Sequence, residues 1–314
     1  MPFRAAFDCL WCGRPHVARD PTDLAGFAQL CPDCLGRAQE NGFLRQRLKQ
    51  ALAERAAAVS SSVAVATEAA IPAEAGSPLA RERGPVAPQD DSDDMVAYYE
   101  ARAGEYDDWY LRRGRYAHGP IDDMAWQADL DQATTWLDRL PIAGTIVELA
   151  AGTGWWSPLL AGKGELSIYD AAEAPLDVAR QRLVAHRLRA HIHQRDAWQE
   201  PDRRVDALFT GFWLSHVPRA RLGEFLALSR RWLRDGGTFA FIDSRFDPRS
   251  GAVDQERSAD RETALRRLSD GRAFRIPKVY YEPDELQDAL RVAGYQEAEV
   301  ASTSRFFLLG RATA

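Results

Sequence analysis

The chain has 314 residues, of which 46% are hydrophobic and 27% are charged, and its formal net charge is −6 at pH 7. This composition excludes a wholly disordered, collagen-like or coiled-coil protein, and the length suits more than one domain. A mildly acidic chain is a poor binder of nucleic acid or anionic membranes, and no apolar run is long enough to predict a membrane span. The first residues also lack the pattern of a secretory signal peptide.

All four cysteines lie near the start of the chain, in two Cys-x-x-Cys turns. They are Cys9, Cys12, Cys31 and Cys34. This spacing is typical of a zinc ribbon, in which two such turns supply four thiolates to a tetrahedral Zn²⁺, so we predict a structural zinc held by these four residues. A redox pair is the alternative. Because secreted disulfide proteins distribute cysteine differently, we expect a cytoplasmic location.

Composition divides the chain into three regions. Residues 1–50 are predicted to form the zinc-ribbon-like module and much of a helix over 35–58. Residues 51–93 lack aromatic side chains and are rich in Ala, Ser, Pro and acidic residues, which predicts a flexible linker. Residues 94–314 are predicted to form one larger domain.

Short apolar runs alternate with helical patterns in the larger domain. The predicted strands cover residues 145–149, 166–169, 191–194, 205–212, 238–242, 297–302 and 305–311. The predicted helices cover residues 156–161, 174–189, 219–233 and 283–293. This alternation predicts an α/β fold with a mainly parallel sheet, and the short turn before the last strand makes that strand antiparallel to its neighbour.

A glycine turn follows the first of these strands. Gly152 and Gly154 lie between the strand and the next helix, where a backbone without side chains lets a ligand approach closely. The third glycine of a dinucleotide fingerprint is replaced by Ser157, which counts against NAD and FAD. Asp170 and Asp196 end the next two strands, as expected of acids that bind ribose hydroxyls and an adenine amine.

Several segments of this domain occur in the order and spacing of one enzyme family. They lie at residues 148–154, 169–170, 195–197, 206–217 and 233–237. On these segments the domain resembles the class I S-adenosylmethionine (SAM)-dependent methyltransferases of the small-molecule type. The resemblance implies a Rossmann-like sheet of seven strands, the last one antiparallel, and SAM as the cofactor.

The resemblance also implies the cofactor contacts. The glycine loop carries the methionine part of SAM, Asp170 the ribose and Asp196 the adenine. The predicted cofactor-binding residues are Tyr99, Arg102, Tyr106, Glu148, Ala150, Gly152, Gly154, Asp170, Ala171, Asp196, Ala197, Trp198 and Thr210.

The segment before the sheet resembles the cap of small-molecule methyltransferases. Tyr99, Arg102 and Tyr106 are spaced three and four apart, which predicts one helix face. On this interpretation Arg102 pairs with the cofactor carboxylate and the tyrosines cover the sulfonium. An ordinary amphipathic helix that buries its aromatic side chains is the alternative.

Methyl transfer needs a base only when the acceptor must lose a proton. We predict His216, which follows the fourth strand, and then Asp243, at the end of the fifth, as catalytic residues; Tyr116 and His118 come third. The alternative for His216 is a structural side chain that caps a helix. Residues 244–281 are predicted to be a substrate-side insertion with a hairpin, whose slight basic excess favours an acidic or polar acceptor.

The sequence therefore predicts SAM-dependent methyl transfer to a small molecule. Two alternatives remain: an RNA methyltransferase that docks through the zinc ribbon, and a cofactor-sensing adaptor protein. The ribbon resembles the zinc module of bacterial ribosomal-RNA guanine methyltransferases, but it is near neutral once a zinc tetrathiolate is counted, so RNA is a poor partner. Protein docking or dimerisation through the ribbon is equally open.

Overall fold

The computed structural model describes residues 5–8, 15–18, 91–255 and 262–314. The chain divides into two compact units, Met1–Ala87 and Pro88–Ala314. Across the described residues, no helix combines the length and the hydropathy needed to cross a membrane.

A short hairpin is the described part of the first unit. Strands β1 (Ala5–Asp8) and β2 (Pro15–Ala18) pair antiparallel, with Ala5 opposite Ala18. All four cysteines, the predicted helix over 35–58 and the linker up to residue 90 lie outside the described residues. The described residues contain no cluster of His, Cys, Asp or Glu suited to a metal, and the zinc ribbon stays a prediction.

The second unit contains an α/β domain with a hairpin inserted between its fifth parallel strand and its last helix. Its helices are α1 (Asp91–Arg102), α2 (Tyr106–Leu111), α3 (Pro120–Arg139), α4 (Ser157–Ala161), α5 (Glu173–Ala185), α6 (Leu222–Arg231) and α7 (Pro283–Val292). Its strands are β3 (Gly144–Leu149), β4 (Gly164–Asp170), β5 (His191–Gln194), β6 (Val205–Gly211), β7 (Leu233–Ser244), β8 (Thr263–Arg267), β9 (Ala273–Pro277), β10 (Gln296–Ser302) and β11 (Phe307–Thr313).

Seven of these strands form one sheet in the order β10-β11-β7-β6-β3-β4-β5. The five strands from β7 to β5 are parallel, whereas β11 pairs antiparallel with both β7 and β10. The predicted Rossmann-like fold with an antiparallel last strand is therefore confirmed. Apolar side chains cover both faces of the sheet: Val147 and Leu149 belong to one buried cluster and Ile146 to the other.

Three local predictions were wrong. The predicted helix over 174–189 ends at Ala185, because Arg187 has a left-handed backbone (φ +57°) that stops it. The strand predicted over 238–242 is longer and runs from Leu233 to Ser244 as β7; near its start the pairing with β6 shifts by a bulge, and Gly236 takes φ +77°. The helix predicted from residue 219 begins with a 3₁₀ turn, Arg219–Arg221, before α6.

The predicted single helix face of the cap was also wrong. Helix α1 ends at Arg102, a turn that includes Gly104 follows, and Tyr106 starts α2. The inserted hairpin of β8 and β9 is confirmed, with Thr263 opposite Pro277. The start of α1 at Asp91 places the last three residues of the predicted linker in a helix.

Candidate active site

A cavity with about 550 Å³ of empty space, which includes its opening to solvent, lies at the carboxyl ends of β3, β4 and β6, and we call it the cofactor cavity. Nine of the predicted cofactor and catalytic residues line it: Tyr99, Tyr106, Ala150, Gly152, Asp170, Ala171, Asp196, Ala197 and His216. Met95, Val96 and Trp213 line it as well, and no sequence pattern predicted them. The parallel strands bring these residues together because their carboxyl ends meet at one edge of the sheet.

The glycine loop that borders this cavity has an unusual backbone. Gly152 takes φ +54°, and a side chain there would approach the Tyr106 ring. Ala150 and Phe212, which also line the cavity, take φ +52° and +61°, values that cost energy for residues other than glycine. Gly154 takes φ +67° and also serves packing, since a Cβ there would lie 2.7 Å from the Cβ of Ala179.

Asp170 is held in place by hydrogen bonds from the backbone, one of them from the glycine loop. Its carboxylate accepts hydrogen bonds from the backbone N–H groups of Gly152 (2.8 Å) and Ala172 (2.9 Å). Burial raises the pKa of Asp170 to about 6, despite these two hydrogen bonds. The carboxyl is therefore largely ionised at neutral pH and able to accept hydrogen bonds from a diol.

Several predicted cofactor residues do not line the cofactor cavity. Glu148 is buried beneath the loop, accepts a 2.5 Å hydrogen bond from Ser157, and has a pKa raised by burial to about 8. Thr210 is fully buried. Trp198 packs against Phe225 and against the Arg221 guanidinium, whose carbon lies 3.7 Å from the ring centroid. Arg102 lines the neighbouring cavity instead.

We call this second cavity, with about 630 Å³ of empty space that includes its opening to solvent, the acceptor cavity. Tyr99, Tyr106, Phe212 and His216 line both cavities and form the wall that they share. The cationic side chains that line the acceptor cavity are Arg102, Arg115, Arg266, Arg267 and Lys278. No acidic side chain is among its described lining residues. The cavity is therefore strongly basic.

His216 is fixed by two hydrogen bonds across the shared wall. Its Nδ1 lies 2.7 Å from the carbonyl oxygen of Pro277, which only accepts, so Nδ1 carries the hydrogen. Its Nε2 then accepts a 2.7 Å hydrogen bond from the Tyr99 hydroxyl. Burial, with Lys278 nearby, lowers the pKa of His216 well below its usual value. The imidazole is neutral, and the alternative that it caps a helix is wrong, since it bonds to neither helix end beside it.

Asp243 lies behind the acceptor cavity and not on its surface. Its carboxylate accepts hydrogen bonds from the backbone N–H groups of Ser215 (3.1 Å) and Ser244 (2.6 Å), and burial raises its pKa. Lys278 donates to the hydroxyls of the same two serines, at 2.7 and 3.2 Å. Asp243 therefore holds the loop that positions Lys278 and His216.

The sequence prediction missed Lys278 and Arg266, which the insertion contributes to the acceptor cavity. Only one feature singled out Lys278: it is one of three lysines, with Lys49 and Lys163, in a chain rich in arginine. Tyr116, a third-rank candidate, lines the cavity, whereas His118 does not and its Nε2 lies 2.8 Å from the carbonyl oxygen of Gly251.

Comparison with known proteins agrees with this geometry. The family described as Methyltransferase domain matches residues 146–237. A solved complex of DhpI with SAM and HEP is 30% identical, with a TM-score of 0.56, and the match covers 70% of this chain and 96% of that one. A DhpI–SAH complex is 29% identical, with a TM-score of 0.54 and coverage of 70% and 95%. No curated protein matches the chain.

The fold alone extends to more distant structures. The PH0226 protein from Pyrococcus horikoshii OT3 is 14% identical, with a TM-score of 0.50, and the match covers 67% of this chain and 98% of that one. The chain belongs to the class I SAM-dependent methyltransferases, and it is an enzyme of this class.

Proposed function

We propose that this methyltransferase transfers the methyl group of SAM to a small molecule bound in the acceptor cavity. The observation that carries this proposal is the shared wall, because a donor in one cavity and an acceptor in the other meet there. An RNA substrate would need an open basic surface.

The residues of the cofactor cavity fit SAM. Asp170 accepts hydrogen bonds from the ribose hydroxyls, and Asp196 accepts one from the adenine amine. The rings of Tyr99 and Tyr106, whose centroids are 5.8 Å apart, offer π faces to a cation. When bound, SAM supplies a methyl group activated by its positively charged sulfur.

Catalysis in this site rests on alignment. Transfer requires the accepting atom and the methyl carbon to meet in line at about 3 Å, and rigid walls supply that geometry. Tyr99 touches both ligands in this proposal, and His216 acts through it as a positioning residue. A role of His216 as a general base is disfavoured, because a second cation would form beside Lys278.

The proposal is tested by following a labelled methyl group. The purified protein and methyl-labelled SAM are incubated with an extract of the source organism, and the extract is then separated into small molecules, RNA and protein. Label in the small-molecule fraction, lost with the Asp170→Asn variant, supports the proposal. Label confined to RNA supports the RNA methyltransferase, and SAM binding without any transfer supports the adaptor; either result overturns the proposal.

For the first unit we propose one structural Zn²⁺ held by Cys9, Cys12, Cys31 and Cys34. The pairing of β1 with β2 supports it, since Cys9 and Cys12 fall in the connection between these strands. Elemental analysis of fresh protein is expected to find one zinc per chain; less than about half an equivalent contradicts the proposal. Chelation is expected to leave the melting temperature of the methyltransferase domain unchanged.

A further inference from the structure

We propose that the acceptor carries an oxyanion group, a carboxylate or a phosphoryl group, that Arg102, Arg266 and Lys278 bind in the acceptor cavity. This inference rests on the proposed function, since it specifies the substrate class of the same site.

The protein balances only part of the positive charge of the cavity: the carboxylate of Asp243 lies near Lys278, whereas two of the arginines have no counter-ion. Arg115 has a counter-ion, because it forms an ion pair with Asp254 at 2.7 Å. Neither Arg102 nor Arg266 forms an ion pair or a side-chain hydrogen bond within the described residues. Uncompensated positive charge at a buried surface is unfavourable, and an anionic ligand removes that cost.

Arg102 gives the sharpest indication of a missing partner. Its side chain belongs to a residue only 8% exposed, and its buried Nε has no hydrogen-bond acceptor. The guanidinium carbon lies 4.5 Å from the ring centroid of Tyr106. Two further rings, those of Tyr98 and Tyr116, lie within 5.7 Å of it. These π faces hold the guanidinium but accept no strong hydrogen bond, whereas an oxyanion accepts two in the planar geometry that arginine offers.

Lys278, which directly follows β9, supplies a third cation to the cavity. Its ammonium donates to the hydroxyls of Ser215 and Ser244, which leaves one of its three hydrogens for a ligand. Burial, together with Arg266 and Arg102, lowers the pKa of Lys278 to about 7, although the nearby carboxylate of Asp243 acts to raise it. An anion bound among these three side chains favours the charged lysine, so binding is coupled to proton uptake.

Ligands of other charge fit this cavity poorly. A cationic acceptor meets only like charges on the described walls. A neutral acceptor leaves the guanidinium of Arg102 without a partner. The oxyanion is therefore the class that satisfies the groups present.

The test uses the full-length protein saturated with S-adenosylhomocysteine. Isothermal titration calorimetry measures the binding of inorganic phosphate, acetate and neutral acetamide below pH 7, where Lys278 is protonated. Arg266→Met removes a cation of the cavity. Arg275→Met is the matched control, because Arg275 is exposed on the neighbouring strand β9 and does not line the cavity.

We expect saturable binding of phosphate or acetate and none of acetamide. The tighter anion distinguishes a phosphoryl from a carboxylate group. Arg266→Met is expected to weaken that binding at least about tenfold, while its melting temperature, its affinity for S-adenosylhomocysteine and the Arg275→Met control stay unchanged.

Two outcomes overturn the inference alone: neither anion binds while S-adenosylhomocysteine does, or Arg275→Met weakens binding as much as Arg266→Met. Failure of S-adenosylhomocysteine itself to bind overturns the cofactor assignment on which the proposed function depends. The two kinds of failure are therefore distinguishable.

Discussion

The two cavities share a wall but differ in charge. The cofactor cavity is lined by the carboxyl groups of Asp170 and Asp196 and, among its described residues, by no lysine or arginine. The acceptor cavity has the opposite lining, with arginine and lysine and no described acid. If both proposals hold, the site pairs a cationic methyl donor with an anionic acceptor across a few aromatic side chains, and the charge of each cavity favours the ligand proposed for it.

The two cavities also differ in origin. The acids of the cofactor cavity stand at the ends of β4 and just after β5, so the sheet itself fixes them. The cations of the acceptor cavity come from α1, from a turn between α2 and α3 that holds Arg115, and from the insertion at 244–281, all of which lie outside the sheet. A fold shared by many methyltransferases can thus keep one cavity while the other changes with the substrate.

The largest expected effect concerns the acidic cavity. Asp170→Asn keeps the shape of the side chain but removes its charge, and it is expected to weaken SAM binding by about 1.5–3 kcal/mol, roughly 10- to 150-fold. Calorimetry with SAM measures this change. Asp206→Asn is the control: Asp206 accepts hydrogen bonds from Thr145 at the opposite edge of the sheet, so it is expected to lower stability and leave SAM affinity unchanged.

A smaller effect is expected in the shared wall. Tyr99→Phe and His216→Asn each remove the hydrogen bond between these residues, and each is expected to lower kcat about tenfold with SAM affinity unchanged. The double variant is expected to be no slower than either single one, because both act through the same contact. Steady-state kinetics of the three variants, at several pH values around 7, measures these changes in kcat.

A different result would give His216 a different role. If it is a general base, its loss lowers kcat by about 10²- to 10⁴-fold, and the loss shrinks as pH rises because the acceptor then ionises unaided. A pH-independent loss of about tenfold supports positioning.

The smallest expected effect is the pH dependence of the basic cavity. Lys278 is charged below about pH 7 and neutral above it, so the KM for the acceptor is expected to rise several-fold as pH increases through 7. Asp243, Arg266, Arg102 and His216 are the charged or titratable groups near this lysine. Lys278→Met is expected to abolish the pH dependence of the KM for the acceptor. If the KM of this variant still rises through pH 7, the lysine does not have this role.

The cofactor side of the site was largely predictable from the sequence. A glycine turn after one strand and acids after the next two place Gly152, Asp170 and Asp196 together in any parallel sheet, because the strand ends meet at one edge. Local spacing carries that information.

The acceptor side could not be predicted in this way. Arg102 and Lys278 are 176 residues apart in the sequence, and only the folded chain brings them to one cavity. The single helix face predicted for Tyr99, Arg102 and Tyr106 failed because a turn at Gly104 interrupts it. Because of this break, Arg102 lines the acceptor cavity alone, whereas Tyr106 lies in the shared wall.

Each cavity contains one indole on its own side of the shared wall. Trp213 lines the cofactor cavity, and Trp109, which donates a 2.6 Å hydrogen bond to the carbonyl oxygen of Ser250, lines the acceptor cavity. Tryptophan emission depends on its surroundings, so the enzyme holds a native fluorophore beside each ligand. Trp213→Phe and Trp109→Phe assign the two contributions, and stopped-flow fluorescence can then time the arrival of donor and acceptor separately, with no label attached to either.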